Sequence, residues 1–325
     1  MAISSKTLVL CVFVAICFAL VQSTLSVSFW EGEVKSNIAR MEAGTYNPYR
    51  EFNTWLNDLF FQYTGLSFLP KLVQGLTVAW LNEERKYYLE CYLRDLVSGT
   101  VIYWLFAGGW HIVIYKIFRK DFFDSKGRKL PSWGTITHQM WLAQRSLLIY
   151  AMLPIMSEVL IEGGYTKAYF YVDQIGGWPQ YAACFVAYLS LVEIGIYWMH
   201  RTLHTNKWLY NNIHGPHHLY NTKDTLTPWA SIAFHPLDGI LQASPYVACL
   251  FIVPMHYYTH MAMLFFTAMW ATNIHDAMWG NTEPVMGSKY HTVHHTHYMY
   301  NFGQFFIFCD WLWGTLRKPE RTKMD

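Results

Sequence analysis

Eight histidines in three short groups are the residues of this chain whose types and spacing could do chemistry. The groups read HRTLH, HGPHH and HTVHH, and they contain His200, His204, His214, His217, His218, His291, His294 and His295. Neutral imidazole is the commonest metal ligand among protein side chains. Eight such rings with few carboxylates nearby can hold two transition-metal ions. A redox-active pair of ions supports oxygen chemistry that side-chain acids and bases cannot perform.

The spacing within each group places its rings on one surface. His200 and His204 are four residues apart at the predicted end of a helix, and residues at i and i+4 share a helical face. The third group has the equivalent i, i+3, i+4 spacing. In the second group, Pro216 suits a first helical turn. His217 and His218 are therefore predicted to begin a helix that the first histidine of the group precedes.

Further residues near these groups are candidates for supporting roles. His275 is a candidate ninth metal ligand, with a structural hydrogen bond as the alternative. A metal-bound imidazole normally donates its other N–H to a carboxylate or carbonyl. The candidates for hydrogen bonding to the ligand histidines are Glu193, His235, Asp238 and His297. Because the histidines act as ligands, no separate general base is expected.

The composition indicates a membrane protein. Of the 325 residues, 53% are hydrophobic and 14% are charged, whereas a soluble domain carries about 25% charged residues. Apolar stretches predict spans at 96–118, 142–161, 178–199, 240–255 and 257–274. The last two are joined by only one or two residues near His256 and should form a hairpin. The predicted fold is an all-α polytopic membrane protein with about four to five transmembrane helices and a cytosolic, histidine-rich helical cap.

The orientation follows from the basic loop between the first two spans. Cytosolic loops are enriched in lysine and arginine, and this loop contains Lys116, Arg119, Lys120, Lys126, Arg128 and Lys129. Counting onward from a cytosolic loop, the third span ends in the cytosol at His200. The hairpin leaves the cytosol and returns to it. All three histidine groups are therefore predicted to lie on the cytosolic face.

The composition of the chain also predicts its N-terminal segment and its domain boundaries. Residues 1–23 combine Lys6 with a short apolar run and are predicted to be a secretory signal peptide, with an uncleaved signal anchor as the alternative. Residues 24–90 are predicted to be an interfacial or lumenal extension, 91–318 the membrane domain, and 319–325 a short basic cytosolic tail.

The six scattered cysteines form no C-x-x-C pair. They are interpreted as buried hydrophobic residues. A net charge of +2 gives no reason to expect a nucleic-acid partner.

The histidine boxes and their flanking segments resemble a known family. EIGIYWMHRTLH, AFHPLDGILQASP and VMGSKYHTVHHTHYMYNFGQ are similar to the fatty acid hydroxylase and sterol desaturase superfamily, in particular its Δ7-sterol C5(6)-desaturase (lathosterol oxidase) branch. The resemblance covers residues 86–318. It implies sterol biosynthesis in the endoplasmic reticulum membrane, with the eight box histidines holding two iron ions on the cytosolic side. It also implies O2 as co-substrate and formation of a C5=C6 double bond in a membrane-embedded sterol.

The electrons for such a reaction must come from another protein. The chain contains no G-x-G-x-x-G dinucleotide motif and no recognisable flavin motif. The resemblance implies cytochrome b5 and NADH-cytochrome b5 reductase as partners. Two alternatives stay open at this point. One is a hydroxylase or C4-methyl oxidase acting on a related sterol or fatty acyl lipid. The other is a non-enzymatic metal-binding or transport protein, which would need ligands along a path through the spans.

Overall fold

The computed structural model describes residues 31–77, 82–222, 224–275 and 283–319. The predicted signal segment 1–23 and residues 320–325 of the basic tail lie outside these residues. The α-helices, in chain order, are α1 (Glu31–Glu42), α2 (Pro48–Thr64), α3 (Phe68–Thr77), α4 (Glu83–Ile112), α5 (Arg119–Phe122), α6 (Trp133–Tyr150), α7 (Met152–Glu162), α8 (Trp178–Thr205), α9 (Lys207–Leu209), α10 (Pro236–Cys249), α11 (Tyr257–Ile274), α12 (Ser288–His297) and α13 (Phe308–Leu312). Two short strands, β1 (Ala168–Tyr169) and β2 (Met255–His256), pair in parallel.

Short polar residues and a glycine set the ends of the long helices. Asn47, Asn82 and Ser132 each stand before a helix, and each side chain accepts a hydrogen bond from a backbone N–H of the first turn. This satisfies a donor that has no partner within the helix. Gly65 ends α2 in the left-handed conformation at φ 69°, which glycine adopts without a Cβ penalty. The helix boundaries therefore follow from local chemistry.

Three helical stretches among the described residues are long and apolar enough to cross a membrane. They are Glu83–Ile117, Trp133–Glu162 and Trp178–Thr205. The first joins α4 to a π-helical turn, the second comprises α6 and α7, and the third is α8. They contain the first three spans predicted from the sequence except for residue 118, so the helical character of this part of the chain is confirmed, and its length and composition suit a membrane.

The predicted hairpin of two further spans is corrected in part. α10 has only 14 residues and ends at Cys249, and α11 does not reach the hydropathy of the three candidate spans. Tyrosine, threonine, histidine and asparagine side chains account for the lower hydropathy of α11. The connection is residues 250–256, longer than the one or two residues predicted. It is held by pairing of Met255 and His256 with Ala168 and Tyr169.

The N-terminal helices pack on the membrane helices. α2 contacts α4 and α7, and Tyr49 lies in the main hydrophobic core, where its hydroxyl donates to the carbonyl of Ala168 across 2.9 Å. The boundary placed at residues 90 and 91 falls inside α4, which begins at Glu83. Helix α2 therefore continues the packed body of the protein.

The segment between α8 and α10 covers the ends of two spans. The Tyr103 hydroxyl of α4 donates to the carbonyl of Trp229 across 2.8 Å, and the Gln139 amide of α6 donates to the carbonyl of Thr225 across 2.7 Å. These bonds place the residues that follow the second histidine group against the halves of α4 and α6 that adjoin the basic loop. This segment, residues 206–235, is called the cap below, and it lies toward the same end of the helices as the basic loop.

Helices α8 and α10 approach each other closely beneath this cap. A Cβ added at Gly195 would lie 2.7 Å from Cβ of Pro245, a distance that forces one backbone to move. Glycine at this position lets the two helices come together beside the histidines at the end of α8.

Candidate metal centre

Each histidine group is carried by a different local structure. His200 and His204 lie in the last two turns of α8, and the third group lies on α12. The second group lies outside the α-helices. His214 ends a π-helical turn, and Pro216 begins a single 3₁₀ turn that contains His217 and His218. The helix predicted after Pro216 is thus one short turn, and its rings face inward.

The fold brings these histidines together as two clusters. In each cluster the candidate ligand atoms lie within 4.8 Å of one another, and every ring is buried. The first cluster comprises His200, His204, His214, His218 and His294. The second cluster comprises His217, His275, His291 and His295. All eight box histidines and His275 therefore converge, although they come from α8, the cap, the end of α11 and α12.

The contacts within the second cluster favour a bound cation. The Nε2 atoms of His275, His291 and His295 form a triangle with sides of 3.0, 3.1 and 3.2 Å. The Nε2 of a neutral imidazole either donates or accepts a hydrogen bond. A triangle of three such atoms must contain at least one pair of the same kind, which repels. Nitrogens bound at right angles to one ion at about 2.0–2.1 Å would be about 3 Å apart, so the triangle fits three ligands of a common metal ion.

Backbone carbonyls orient two histidines of the first cluster. Nδ1 of His200 donates to the carbonyl of Phe302 across 3.0 Å, and Nδ1 of His294 donates to the carbonyl of Tyr300 across 2.8 Å. The proton on Nδ1 leaves Nε2 with a free lone pair. Both of these Nε2 atoms are buried and have no hydrogen-bond partner in the part of the chain that the structure describes. A buried acceptor without a partner is costly in a protein interior, and a metal ion would satisfy both lone pairs.

Two further histidines are oriented in the same way. Nδ1 of His275 donates to the carbonyl of Ala271 across 2.7 Å, and Nδ1 of His214 donates to the carboxylate of Asp238 across 2.8 Å. Their Nε2 atoms face the other histidines of their clusters. Hydrogen bonds of this kind fix the tautomer and ring direction of metal-bound histidines.

Burial keeps the histidine rings on α12 and at the end of α11 neutral. Burial and the neighbouring imidazoles lower the pKa of His291, His294 and His295 well below the ordinary value. Burial also lowers the pKa of His275 to about 4. Histidine must be deprotonated to bind a metal ion. An all-imidazole donor set suits zinc, copper, iron and nickel.

Glu193 supports the site through a loop instead of touching a histidine. Its carboxylate accepts hydrogen bonds from the backbone N–H groups of Gln304, Phe305 and Phe306 at 3.0–3.2 Å. This loop includes the Phe302 carbonyl that orients His200. Asp310 holds the start of the same loop by accepting from the N–H groups of residues 302 and 303 at 2.8 Å.

Two residues predicted to hydrogen-bond the ligands lie apart from both clusters. His235 precedes α10 and accepts a hydrogen bond from the N–H of Leu237 across 3.2 Å. His297 is exposed and contacts the carbonyl of Val293 in its own helix. His297 follows His295 by two residues, which turns its side chain to the opposite side of α12. Neither residue is placed to orient a ligand.

Comparisons with known proteins identify relatives of this chain. The profile of the fatty acid hydroxylase family matches residues 185–315. A Δ7-sterol-C5(6)-desaturase of Nicotiana tabacum is 41% identical over 255 residues, which are 78% of this chain and 93% of that relative. A putative Δ7-sterol-C5(6)-desaturase 2 of Arabidopsis thaliana is 40% identical over 75% of this chain and 86% of its own length. Lathosterol oxidase of Mus musculus is 35% identical over 53% and 58%, respectively.

The chain belongs to the sterol desaturase family. The resemblance drawn from the histidine boxes is thereby confirmed, and as a member of this family the protein is an oxidoreductase. The family match over residues 185–315 contains all nine clustered histidines. No solved structure matches the chain.

In this sterol desaturase family member, an apolar cavity lies beside both clusters. It is lined mainly by α10, α11 and the segment between α8 and α10, with two residues from α8, and has a volume of about 60 Å³. Four clustered histidines line it, namely His200, His217, His275 and His291. The sequence alone did not identify the other cavity residues, since apolar side chains on three separate helices carry no motif. A group held in this cavity would lie against the candidate metal ligands.

Proposed function

We propose that this protein introduces the C5=C6 double bond into a Δ7-sterol. In the balanced reaction, the sterol loses one hydrogen from C5 and one from C6. One O2, two electrons and two protons are consumed, and two molecules of water form. The observation that carries the proposal is that two clusters of oriented, neutral histidines border one apolar cavity.

The ligand set proposed for two iron ions is divided between the clusters. His200, His204, His214, His218 and His294 would hold one ion, and His217, His275, His291 and His295 the other. When bound, the metal pair would supply the redox chemistry with O2 that removal of hydrogen from an unactivated carbon requires. Imidazole ligation alone does not select the metal. Zinc has no redox chemistry, so the proposed reaction favours iron.

The protein's own groups do three things in this proposal. The Phe302, Tyr300 and Ala271 carbonyls and the Asp238 carboxylate hold the rings in the direction and tautomer that coordination needs. Burial of all nine rings excludes water from the reacting centre. The apolar walls of the cavity favour a hydrocarbon ring system over a polar substrate.

The fold and the basic loop support the proposed membrane arrangement. The three candidate spans, together with a hairpin formed by α10 and α11, would give the four to five membrane-inserted helices expected. The candidate metal centre lies at the end of the helices where the basic loop 118–132 connects α4 to α6. Because such loops face the cytosol, we place the site on the cytosolic side of the endoplasmic reticulum membrane. Residues 1–23 would direct the chain there.

Electrons are proposed to come from cytochrome b5 and its NADH-dependent reductase. The chain has no dinucleotide-binding motif of its own. An external donor that reaches the cytosolic face of the membrane would meet the basic loop and the histidine-rich cap first.

The test is expression in a yeast strain that lacks its own C5-desaturase, with sterols identified by mass spectrometry. The expected result is restored Δ5,7-sterols, lost in the His217→Ala and His294→Ala variants at unchanged protein level. His297→Ala, which changes an exposed histidine outside both clusters, is the matched control and should retain activity. An alcohol in place of the alkene would indicate a hydroxylase instead. Full conversion by either cluster variant would contradict the proposed ligand set.

A further inference from the structure

The cavity beside the clusters contains an unsatisfied hydroxyl group. Tyr246 lines this cavity from α10 and its side chain is fully buried. Its hydroxyl oxygen is excluded from solvent and, among the described residues, makes no hydrogen bond of normal distance and angle. The side chain of Thr267, which already accepts from Gln304, is the polar neighbour that interacts with it weakly. Buried polar groups are almost always paired, and an exception calls for an explanation. A ligand that brings a polar group into the cavity would supply the missing partner.

The glutamine, serine and threonine side chains of the cavity have protein partners. The Gln242 amide donates to Asp238 across 2.8 Å, and the Gln304 amide donates to the hydroxyl of Thr267 across 3.2 Å. The hydroxyl of Ser231 accepts from Thr272. Apart from nitrogens of the clustered histidines, the Tyr246 hydroxyl is therefore the fully buried polar group of the cavity that lacks a hydrogen-bond partner among the described residues.

The chemistry of a sterol brings such an atom to this place. Its 3β-hydroxyl is attached to C3, only two bonds from C5, so it must enter the cavity with the reacting carbons. A volume of about 60 Å³ admits the leading edge of a ring system, and that edge is the one with the hydroxyl. An unpaired hydroxyl in apolar surroundings would weaken binding.

We propose that the Tyr246 hydroxyl binds the 3β-hydroxyl of the sterol and so sets the position of C5 and C6 against the histidine clusters. This inference rests on the proposed function and names a specificity-determining residue for it. Tyr246 is not a metal ligand, and its removal should leave the metal content of the protein unchanged.

The test compares a Δ7-sterol with its 3-deoxy analogue on purified wild-type and Tyr246→Phe proteins that are loaded with iron and supplied with O2, NADH, cytochrome b5 and its reductase. The wild type should prefer the hydroxylated sterol in kcat/KM by about tenfold, the size of one hydrogen bond. Tyr246→Phe should reduce this preference to near one by lowering kcat/KM for the hydroxylated sterol alone. Because the lost hydroxyl makes no hydrogen bond of normal geometry with the described residues, the variant should fold with thermal stability close to that of the wild type.

Two other tyrosines serve as comparisons. Tyr188→Phe removes a buried hydroxyl that bonds to His260 and to the Tyr246 carbonyl. It should lower thermal stability without changing the preference between the sterols. Tyr150 also lines the cavity. If Tyr150→Phe abolishes the preference and Tyr246→Phe preserves it, the assignment to Tyr246 is wrong.

The inference and the proposed function can fail separately. A wild type that converts both sterols equally, or a Tyr246→Phe variant that keeps the full preference, would overturn the role of Tyr246 only. A wild type that converts neither sterol would overturn the proposed function. Equilibrium binding of the two sterols to the same proteins would then still decide the role of Tyr246. A tenfold loss of affinity for the hydroxylated sterol alone supports it, and equal affinities reject it.

Discussion

His214 donates its Nδ1 proton to Asp238 across 2.8 Å, and both side chains are fully excluded from solvent. The carboxylate accepts a second hydrogen bond from Gln242, which fixes its own direction. His214 comes from the cap and Asp238 from the first turn of α10. A carboxylate on one element thus determines which nitrogen of a histidine on another element faces the first cluster.

Asp238→Asn should weaken metal binding at the first cluster. The asparagine side chain cannot hold the His214 N–H as a charged acceptor does, and loss of such a partner typically costs about 10–100-fold in metal affinity. Chelator competition with metal quantified by mass spectrometry would measure this change. Asp224→Asn, which alters an exposed aspartate of the same cap, is the control. Equal affinities for Asp238→Asn and wild type would show that Asp238 does not support the metal ligand.

Glu193→Gln should loosen the loop at residues 302–306. A carboxylate can accept the three backbone N–H groups at once, whereas an amide has one acceptor oxygen and brings two donors of its own. Leaving buried N–H groups unpaired should cost about 1–3 kcal/mol. We expect a lower midpoint of thermal unfolding and faster hydrogen exchange in this loop. Glu84→Gln, at an exposed position of α4, should change neither, and normal protection of the loop in Glu193→Gln would refute the anchoring role.

His275→Ala should remove metal from the second cluster. Its Nε2 lies 3.0–3.3 Å from those of His217, His291 and His295, so its loss opens one side of the proposed coordination sphere. Purified protein should fall from about two metal ions per chain to about one. His297→Ala should keep both. Unchanged metal content in His275→Ala would assign that histidine a purely structural role.

Asn53→Ala should destabilise the attachment of α2. The Asn53 amide donates to Glu162 across 3.0 Å, and its carbonyl oxygen accepts from the Tyr257 hydroxyl across 3.0 Å and from Arg94 at 3.4 Å. Arg94 is itself buried against Glu158 across 2.6 Å. Removing one member of this network leaves buried polar groups short of partners.

The expected loss for Asn53→Ala is about 1–3 kcal/mol, read as a lower midpoint of thermal unfolding in detergent. Thr54→Ala changes the neighbouring exposed residue, whose hydroxyl bonds only within α2, and should have little effect. If both variants unfold at the wild-type temperature, α2 contributes little to the packed body.

Local patterns in the sequence were sufficient for much of the site. The i, i+4 spacing of His200 and His204 and the i, i+3, i+4 spacing of the third group depend only on helical geometry. Residue type alone indicated metal binding, and the family motifs indicated oxidoreductase chemistry. Long apolar stretches predicted the three candidate spans because a membrane-crossing helix must be apolar over its whole length.

The tertiary structure decided the relationships between distant segments. Which histidines share a cluster, the inclusion of His275, and the pairing of His214 with Asp238 depend on contacts between α8, the cap, α10, α11 and α12. The structure also decided that His235 caps a helix and that Glu193 anchors a loop. It likewise showed that the buried Tyr246 hydroxyl lacks a hydrogen bond of normal geometry with the described residues. Spacing along a chain constrains only neighbours within a few residues, whereas hydrogen bonds and cavities form between whatever surfaces packing brings together.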